Sequence, residues 1–356
     1  MGSLETGNTR ASSDAVTLVI TTSPTPSAPS TELLCAILES FRTHCTELLT
    51  CRIIVVLDTF ERIGLQPRLK KGQVTKQGAK DVDDYKTNVK NLILEQYWPH
   101  EEKPQLSSST HEAEFGYEAN EANHISVVAT HTPDGRITFL EPTRRLGFGL
   151  AVRSALRLTE TPYVWIQQHD WSLVTDVPLG GILDVMRRHE CHESSPVKYV
   201  CLPSVRMLGY ATSGHVTNFP TLKSLTAELR KEFAVPSTTA AGKTETIPLT
   251  PMFFWHDKPH IASTEHYLSR VFPTRLAIPR GAFIEDTIGQ RGRNQMKEGQ
   301  WTRWACWLYY PDDGQTLCLR HLQGRTWRGT EGDLEHGQHI HQQSGALLTT
   351  RVACVI

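Results

Sequence analysis

The stretch Leu146–Trp171, LGFGLAVRSALRLTETPYVWIQQHDW, says most about the fold of this chain. Its first half predicts a helix with small residues on one face, which lets a helix approach a sheet closely. Its second half, Tyr163–Ile166, is aromatic and β-branched without polar alternation, which predicts a parallel strand covered on both faces. The strand ends at Gln168–Trp171. Open α/β sheets bind ligands outside the carboxyl ends of their strands, so Asp170 is a candidate functional residue.

The start of the chain predicts a βαβ unit of the same kind. Val16–Thr21 predicts the first strand, and the proline-rich segment that follows it predicts a loop. Ser30 or Thr31 is expected to cap a helix, and Ile53–Leu57 predicts the second strand. The helix should bury one stripe of side chains, namely Leu33, Leu34, Ile37, Leu38, Phe41, Cys45 and Leu48. Thr22 and Asp58 then lie at the two strand ends.

The remaining pattern predicts one large α/β domain with a mixed, mostly parallel sheet flanked by helices. Lys70–Lys80 predicts a mobile loop, residues 100–123 a surface insertion, and Ser237–Glu245 a flexible loop. Further elements are expected as a helix carrying Tyr85 and Ile93, and strands at Ile125–Ala129 and Tyr199–Leu202. The expected organisation is a tail over residues 1–14, a catalytic domain over 15–300 with halves 15–170 and 171–300, and an extension over 301–356 that packs on the same domain.

Composition excludes several classes of protein. Lys and Arg total 37 against 38 for Asp and Glu, so no global field attracts nucleic acid or an anionic membrane. The eight cysteines lack CxxC spacing and are expected to be reduced thiols. Neither a signal peptide nor a transmembrane segment is predicted, which favours a cytoplasmic protein. Gly2 matches a minimal myristoylation pattern, although an ordinary disordered tail is the more frequent origin of that pattern.

The order of these parts resembles a GT-A-fold nucleotide-sugar glycosyltransferase. The features that carry the resemblance are the βαβ start with Asp58 after its second strand, the small-residue helix that contains Arg153, and the strand that ends at Asp170. The chain is most similar to the large inverting family that includes cellulose- and chitin-synthase catalytic domains. The resemblance covers Val16 to Gln290 in the order of elements.

The resemblance implies sites for a sugar diphosphate and a divalent metal, Mn²⁺ or Mg²⁺. Thr22 and Asp58 are expected to contact the nucleoside, and Arg153 and Asp170 the diphosphate. The family's Asp-x-Asp motif is reduced here to a single carboxylate, whereas hard cations prefer several oxygen ligands. His169 is a second candidate metal ligand because manganese accepts imidazole. Alternatively, Arg and Lys side chains replace the metal.

A carboxylate pair, Glu285 and Asp286, matches the pair from which the family draws its general base. An attacking alcohol must lose its proton, and the resemblance implies Asp286 first and Glu285 second for that task. The competing interpretation is charge at a helix N-terminus, where acidic residues complement the dipole. The residues alone leave both interpretations open.

Two further clusters are candidates for substrate contact. Trp255, His256 and Asp257, together with Trp171, combine aromatic faces with polar edges as sugar sites do, although a core strand that ends in a polar turn is the alternative. A late basic segment over the diphosphate is the second candidate, because some enzymes of this fold neutralise the leaving group in this way. Its residues are Arg320, His321, Arg325, Arg328, His336, His339 and His341.

The expected function is transfer of a sugar, with inversion, from a nucleoside-diphosphate sugar to an acceptor hydroxyl. The donor is expected to be a uridine compound, and the acceptor is a glycan, a protein or a small molecule. A nucleotidyltransferase is one alternative, although the loop TTSPTPSAPS after the first strand lacks glycine and lysine for phosphate. A noncatalytic carbohydrate-binding or scaffold protein with a degenerate motif is the other.

Overall fold

The structure, a computed structural model, describes residues 12–236 and 244–327. The strands are β1 (Val16–Thr22), β2 (Arg52–Leu57), β3 (Arg62–Ile63), β4 (Gln73–Val74), β5 (Ser107–Glu114), β6 (His124–His131), β7 (Ile137–Pro142), β8 (Tyr163–Gln168), β9 (Trp171–Leu173), β10 (Tyr199–Cys201), β11 (Lys231–Pro236), β12 (Thr244–Pro251), β13 (His260–Ser263), β14 (Cys306–Tyr309) and β15 (Leu319–His321). The helices are α1 (Ser12–Ala15), α2 (Glu32–His44), α3 (Lys76–Tyr97), α4 (Phe148–Leu156), α5 (Leu179–His189), α6 (Gly214–Thr217), α7 (Pro220–Leu229), α8 (Thr264–His266) and α9 (Gln290–Lys297).

The main sheet has eleven strands in the order β11-β12-β14-β10-β13-β8-β1-β2-β7-β6-β5. Within the described residues, β6, β12 and β13 run opposite to the other strands of this sheet. The expected α/β class with a mixed, mostly parallel sheet is therefore confirmed. The strands β8, β1, β2 and β7 form an uninterrupted parallel centre.

The parallel centre places the predicted strand-end residues at one edge of the sheet. Thr22 pairs with Leu57 of β2, and Thr21 pairs with Gln168 of β8. Asp58 and His169 follow those partners directly, so both flank the end of β1. Every residue of β1 is buried, as expected for a strand covered on both faces.

Helix α2 supplies the apolar stripe that was expected, and the hydroxyl of Ser30 accepts a hydrogen bond from Glu32 N–H at 3.2 Å. The stripe extends beyond the helix, because Cys45 and Leu48 are buried in the short turn that follows it. In α3, Tyr85 and Ile93 face the core. The central βαβ unit is therefore built as the sequence predicts.

Two segments differ from expectation. The loop predicted over Lys70–Lys80 ends at Thr75, whose hydroxyl caps α3 by accepting from Gly78 N–H at 2.9 Å. Residues 100–123 contain the edge strand β5, which pairs along its whole length with β6. Its side chains are mostly exposed and polar, so the sequence lacks the apolar pattern that would predict a strand. Pairing with β6, a tertiary feature, decides its conformation.

Two glycines hold the start of α4 against a distant loop. Gly147 has φ +79°, and a Cβ there would lie 2.4 Å from the Cα of Gly281, which itself has φ +81°. Gly281 N–H donates to the carbonyl of Leu146 at 2.8 Å. Side chains are excluded from this contact, so the two backbones meet directly beside the strand ends.

The described residues after position 300 contribute a strand to the main sheet and a strand to a separate two-stranded sheet. Strand β14 lies between β10 and β12, and β15 pairs with β9 next to the end of β8. The cysteines found in the described ranges are free thiols, as expected. No helix of the described part is long and apolar enough to cross a membrane.

Candidate functional site

Two adjoining cavities open at the carboxyl ends of the central strands. The smaller, about 100 Å³, lies over the ends of β1, β2 and β8 beside the start of α4. The larger, about 830 Å³, lies beyond β8 against the loop after β10. Gln168, Asp170, Phe283 and Arg325 line both cavities. A ligand in one cavity can therefore meet a ligand in the other at Asp170.

Asp58 lies in the smaller cavity, but its carboxylate also fixes the protein's own backbone. It accepts hydrogen bonds from Leu146 N–H at 2.8 Å, Gly147 N–H at 2.9 Å and Thr59 N–H at 2.9 Å. Two of these donors, Leu146 and Gly147, directly precede α4, so Asp58 fixes the backbone that leads into that helix. Burial raises the pKa of Asp58, and the three N–H groups oppose that shift.

Thr22 and His169 form a buried polar chain with Tyr85 on the floor of this cavity. The Thr22 hydroxyl lies 2.7 Å from Tyr85 Oη and 2.7 Å from His169 Nδ1. Ser23 N–H donates to the same Nδ1 at 3.3 Å, so Nδ1 is an acceptor and Nε2 carries the proton of the neutral ring. Burial lowers the pKa of His169 and favours that neutral form.

Asp170 has one carboxylate oxygen bound and one free. Oδ2 accepts from His321 Nε2 at 3.1 Å and from Gly324 N–H at 3.2 Å. Oδ1 is buried and has no hydrogen-bond partner among the described residues. Burial alone would raise the pKa of Asp170, but the hydrogen bonds from His321 and from Gly324 N–H hold it below its usual range. An ionised carboxylate with a free buried oxygen thus lies between the two cavities.

A segment near the end of the described chain covers Asp170, and we name residues 317–327 the C-terminal strap. Its strand β15 pairs with β9, and Leu322 N–H donates to the Asp170 carbonyl at 2.7 Å. Gly324 lies so close to His169 that a Cβ at this position would be 2.9 Å from His169 Nε2. The strap brings two of the predicted basic residues, His321 and Arg325, to the strand ends.

Three cationic side chains line the smaller cavity, namely Lys70, Arg145 and Arg325. No carboxylate in the described ranges pairs with Arg325, whose guanidinium lies 5.5 Å from the centre of the Phe283 ring. Lys70 and Arg145 are not among the site residues that the sequence predicts, although Lys70 begins the loop predicted over Lys70–Lys80. Their approach to the cavity depends on loop packing that no local pattern reveals.

The placement expected for Arg153 is wrong. Its side chain is 1 % exposed, lies away from both cavities, and donates a hydrogen bond to the carbonyl of Glu114 at the end of β5. Burial lowers its pKa to about 10. Arg153 lies in α4, as the sequence predicts. The other face of α4 packs on β1 and β2, so the side chain of Arg153 points away from those strands.

Two carboxylates in the larger cavity have pKa values shifted in opposite directions. Asp257 is 3 % exposed, and burial together with Glu285 raises its pKa well above the usual range. Glu285 accepts from Asp257 N–H at 3.4 Å and lies 3.4 Å from His256 Nδ1. That imidazole contact lowers the pKa of Glu285, so the surroundings favour the ionised form of Glu285 and disfavour that of Asp257.

Asp286 does not occupy the position expected of the base. Its side chain is exposed and lines neither cavity, whereas Glu285 lines the larger one. Both residues belong to a single π-helical turn, Glu285–Gly289, that continues into α9. Neighbouring residues of a helix point about 100° apart, so only one of the pair faces the cavity.

The aromatic cluster is divided between core and site. Trp255 is fully buried, with its ring centre 4.2 Å from that of Tyr199, so its expected sugar contact is wrong and the structural alternative holds. His256 touches Glu285 but does not line either cavity. Trp171 does line the larger cavity, and its ring centre lies 4.5 Å from that of His321.

The candidate site has one ligand position for a divalent cation. Among the described residues no group of three or more His, Cys, Asp or Glu side chains is arranged to hold a metal. The proton on His169 Nε2 prevents that nitrogen from ligating in the observed arrangement, so the predicted metal role of His169 is not supported by its tautomer. Asp170 Oδ1 remains, and a Mg²⁺-like ion held by one carboxylate, substrate phosphates and water fits that donor set.

Several predicted residues lie outside the described ranges, namely Gly2, Arg328, His336, His339 and His341.

No protein-family model matches the chain, and no curated protein matches its sequence. Among solved structures it is similar to the mannosyltransferase PcManGT from Pyrobaculum calidifontis, in complex with GDP-mannose and Mn²⁺. The identity is 13 %, the match covers 88 % of this chain and 58 % of that protein, and the TM-score is 0.42. The chain thus spans less than two thirds of that protein's length. Support for a function therefore comes from the site alone.

Proposed function

We propose that this protein is an inverting GT-A-type glycosyltransferase that moves a sugar from a nucleoside-diphosphate sugar to an acceptor hydroxyl. One observation carries the proposal: the ionised carboxylate of Asp170, with its free Oδ1, lies where two cavities meet. A two-substrate transfer requires such a meeting point. A uridine donor and a cytosolic location belong to the same proposal.

The smaller cavity is assigned to the donor diphosphate. Its cations Lys70, Arg145 and Arg325 supply positive charge for phosphate oxygens, and Arg325 stands at the boundary where the leaving group forms. The nucleoside is placed towards Thr22 and Asp58. An adjoining cavity of about 470 Å³ shares Lys70 and Arg325 and provides further space for a base or sugar.

The acceptor approaches from the larger cavity, where Glu285 takes the proton of its hydroxyl. The acceptor oxygen bonds to the anomeric carbon while the bond between that carbon and the diphosphate oxygen breaks. The electron pair of the broken bond stays with the departing nucleoside diphosphate, whose charge Arg325 stabilises. Attack opposite the leaving group inverts the anomeric configuration.

Asp170 Oδ1 would hold a divalent cation together with the donor phosphates. When bound, such an ion neutralises the growing charge of the leaving group. In either case Asp170 orients the end of the C-terminal strap through His321 and Gly324. It thereby sets the position of the nearby Arg325.

Release of nucleoside diphosphate from a panel of nucleotide sugars, with and without Mn²⁺, tests this function. We expect turnover of at least one donor, and Asp170→Asn should reduce it by about 10²-fold or more, in the range of lost electrostatic stabilisation. Asp176→Asn is a matched control, because that side chain is 87 % exposed, pairs with His44 and lines neither cavity. Lack of nucleoside diphosphate binding at millimolar concentration would refute the proposal and favour a noncatalytic carbohydrate-binding protein.

A further inference from the structure

Four cationic side chains line the larger cavity, namely Arg206, Lys258, Arg320 and Arg325. Three carboxylates, Asp170, Asp257 and Glu285, also line it, and burial raises the pKa of Asp257, which disfavours its charge. Two of the cations, Arg206 and Lys258, lie apart from the donor, because neither lines the smaller cavity.

Backbone contacts bring three of these cations together around one loop. The loop after β10 carries Ser204 and Arg206. On one side, Leu202 N–H donates to the Pro259 carbonyl at 3.2 Å, which places Lys258 beside the loop. On the other side, Leu319 N–H donates to the Pro203 carbonyl at 3.0 Å, which places Arg320 beside it.

A buried hydroxyl lies in the middle of this arrangement. Ser204 is 2 % exposed and lines the larger cavity, yet its Oγ has no hydrogen-bond partner among the described residues. Buried hydroxyls are nearly always paired, so an unpaired one at a cavity wall indicates a missing ligand atom. Hydroxyl donors and flanking cations together are what an oxyanion requires.

We propose that the acceptor is anionic, and that Ser204, Arg206 and Lys258 bind a phosphate or carboxylate group that it carries. This inference rests on the proposed function, because it assigns the larger cavity to the acceptor. It places the anion next to the loop after β10, with the reacting hydroxyl towards Glu285. A neutral sugar would gain nothing from the positive charge of Arg206 and Lys258.

Calorimetric titration of the chain saturated with uridine diphosphate tests the inference. Inorganic phosphate is the first probe, followed by glucose 6-phosphate, glucuronate and glucose. We expect inorganic phosphate to bind, and one of the two anionic sugars to bind at least about tenfold more tightly than glucose, as for one charge-assisted hydrogen bond. Preference between the phosphate ester and the uronate identifies the anion.

Arg206→Ala and Lys258→Ala should each weaken phosphate binding by about tenfold, while Arg206→Lys should retain most of it. Arg303→Ala is the matched control, because that exposed arginine lies away from both cavities. Thermal melting verifies that each variant is folded. Absence of phosphate binding, or binding that survives both alanine substitutions, would overturn the inference.

The result is separable from the proposed function. If uridine and guanosine diphosphates fail to bind, the proposed function fails, and phosphate titration of the unloaded chain still measures the anion site. If nucleotide sugars are turned over but glucose binds as tightly as its charged derivatives, the proposed function stands and the anionic acceptor is wrong.

Discussion

At the scale of single residues, what a carboxylate can bind depends on which of its oxygens already accept hydrogen bonds from the protein. Asp170 has one oxygen committed to the C-terminal strap and one available, whereas Asp58 directs both oxygens to backbone N–H groups. The two acids are similar in sequence, since each follows a buried strand. Their different environments leave an oxygen of Asp170 available to a ligand, whereas Asp58 binds the protein's own backbone.

Glu285 is expected to be the general base. Glu285→Gln keeps the size of the side chain but cannot accept the acceptor proton, so turnover should fall by about 10²–10⁴-fold. Asp286→Asn should have a much smaller effect, because that side chain faces solvent. Steady-state kinetics with saturating donor make the comparison, with the exposed Glu193→Gln as control. A larger loss in Asp286→Asn would return the role to Asp286.

The pH profile of catalysis should depend on His256. A base works when ionised, and the His256 hydrogen bond lowers the pKa of Glu285, so activity should persist below the usual carboxylate range and fall only as the pH drops through that lowered pKa. His256→Phe removes the hydrogen bond, raises the pKa of Glu285, and should move the acid limb of kcat/KM to higher pH. An unchanged limb would show that another group limits the rate.

At the scale of elements, the site depends on how α4 and the C-terminal strap are fastened. The N-terminal end of α4 is held by Asp58 on one side and by Gly281 on the other. The strap is held by β9 and by Asp170. Both attachments are long-range, so each couples the site geometry to correct folding of distant parts of the chain.

Gly147→Ala should destabilise the fold by about 3 kcal/mol, because alanine would be forced to φ +79° and ψ 164°, a conformation occupied essentially only by glycine, and would overpack against the backbone of Gly281. Gly135→Ala is a matched control, because Gly135 has φ +65° and a Cβ there would meet nothing within 4 Å. Gly135→Ala should lower the free energy of unfolding by only about 1–2 kcal/mol. Urea unfolding measures both values. Equal losses would mean that the contact with Gly281 yields at little cost.

At the scale of the whole molecule, the central parallel strands form a platform that extends in both directions. Strands β5 and β6 extend one side, and β10 to β14 extend the other. The second extension builds the wall of the larger cavity, since the loops after β10 and before β13 carry Ser204, Arg206, Lys258 and Asp257. The smaller and the larger cavity thus belong to different parts of one sheet.

Nucleotide binding should stabilise the whole fold. Uridine diphosphate at about 100 times its Kd should add about 2.7 kcal/mol to the free energy of unfolding, because the ligand binds only the folded chain. Arg325→Ala should reduce this gain by weakening diphosphate binding, and Arg303→Ala should not. Urea unfolding with and without nucleotide measures the effect. No gain with uridine diphosphate but a gain with guanosine diphosphate would correct the base of the donor.

Local sequence pattern was sufficient to predict the elements at the centre of the molecule. The βαβ start, the strand that ends at Asp170 and the small-residue helix before it are each encoded by short-range periodicity and by proline or glycine punctuation. Parallel pairing then brings the strand-end residues Asp58 and His169 to one edge. These features could be read from the chain because burial on both faces leaves an uninterrupted apolar run.

The sequence by itself determined which strands form the platform and which acids stand at its edge. Only the tertiary structure decided that Arg153 is buried against β5, that Glu285 rather than Asp286 faces a cavity, and that the strap brings Arg325 to Asp170. The direction of a side chain and the docking of a distant segment depend on packing between elements far apart in the chain. Hydrophobic periodicity shows only which residues share a face within one helix or strand, so it cannot predict contacts between distant elements.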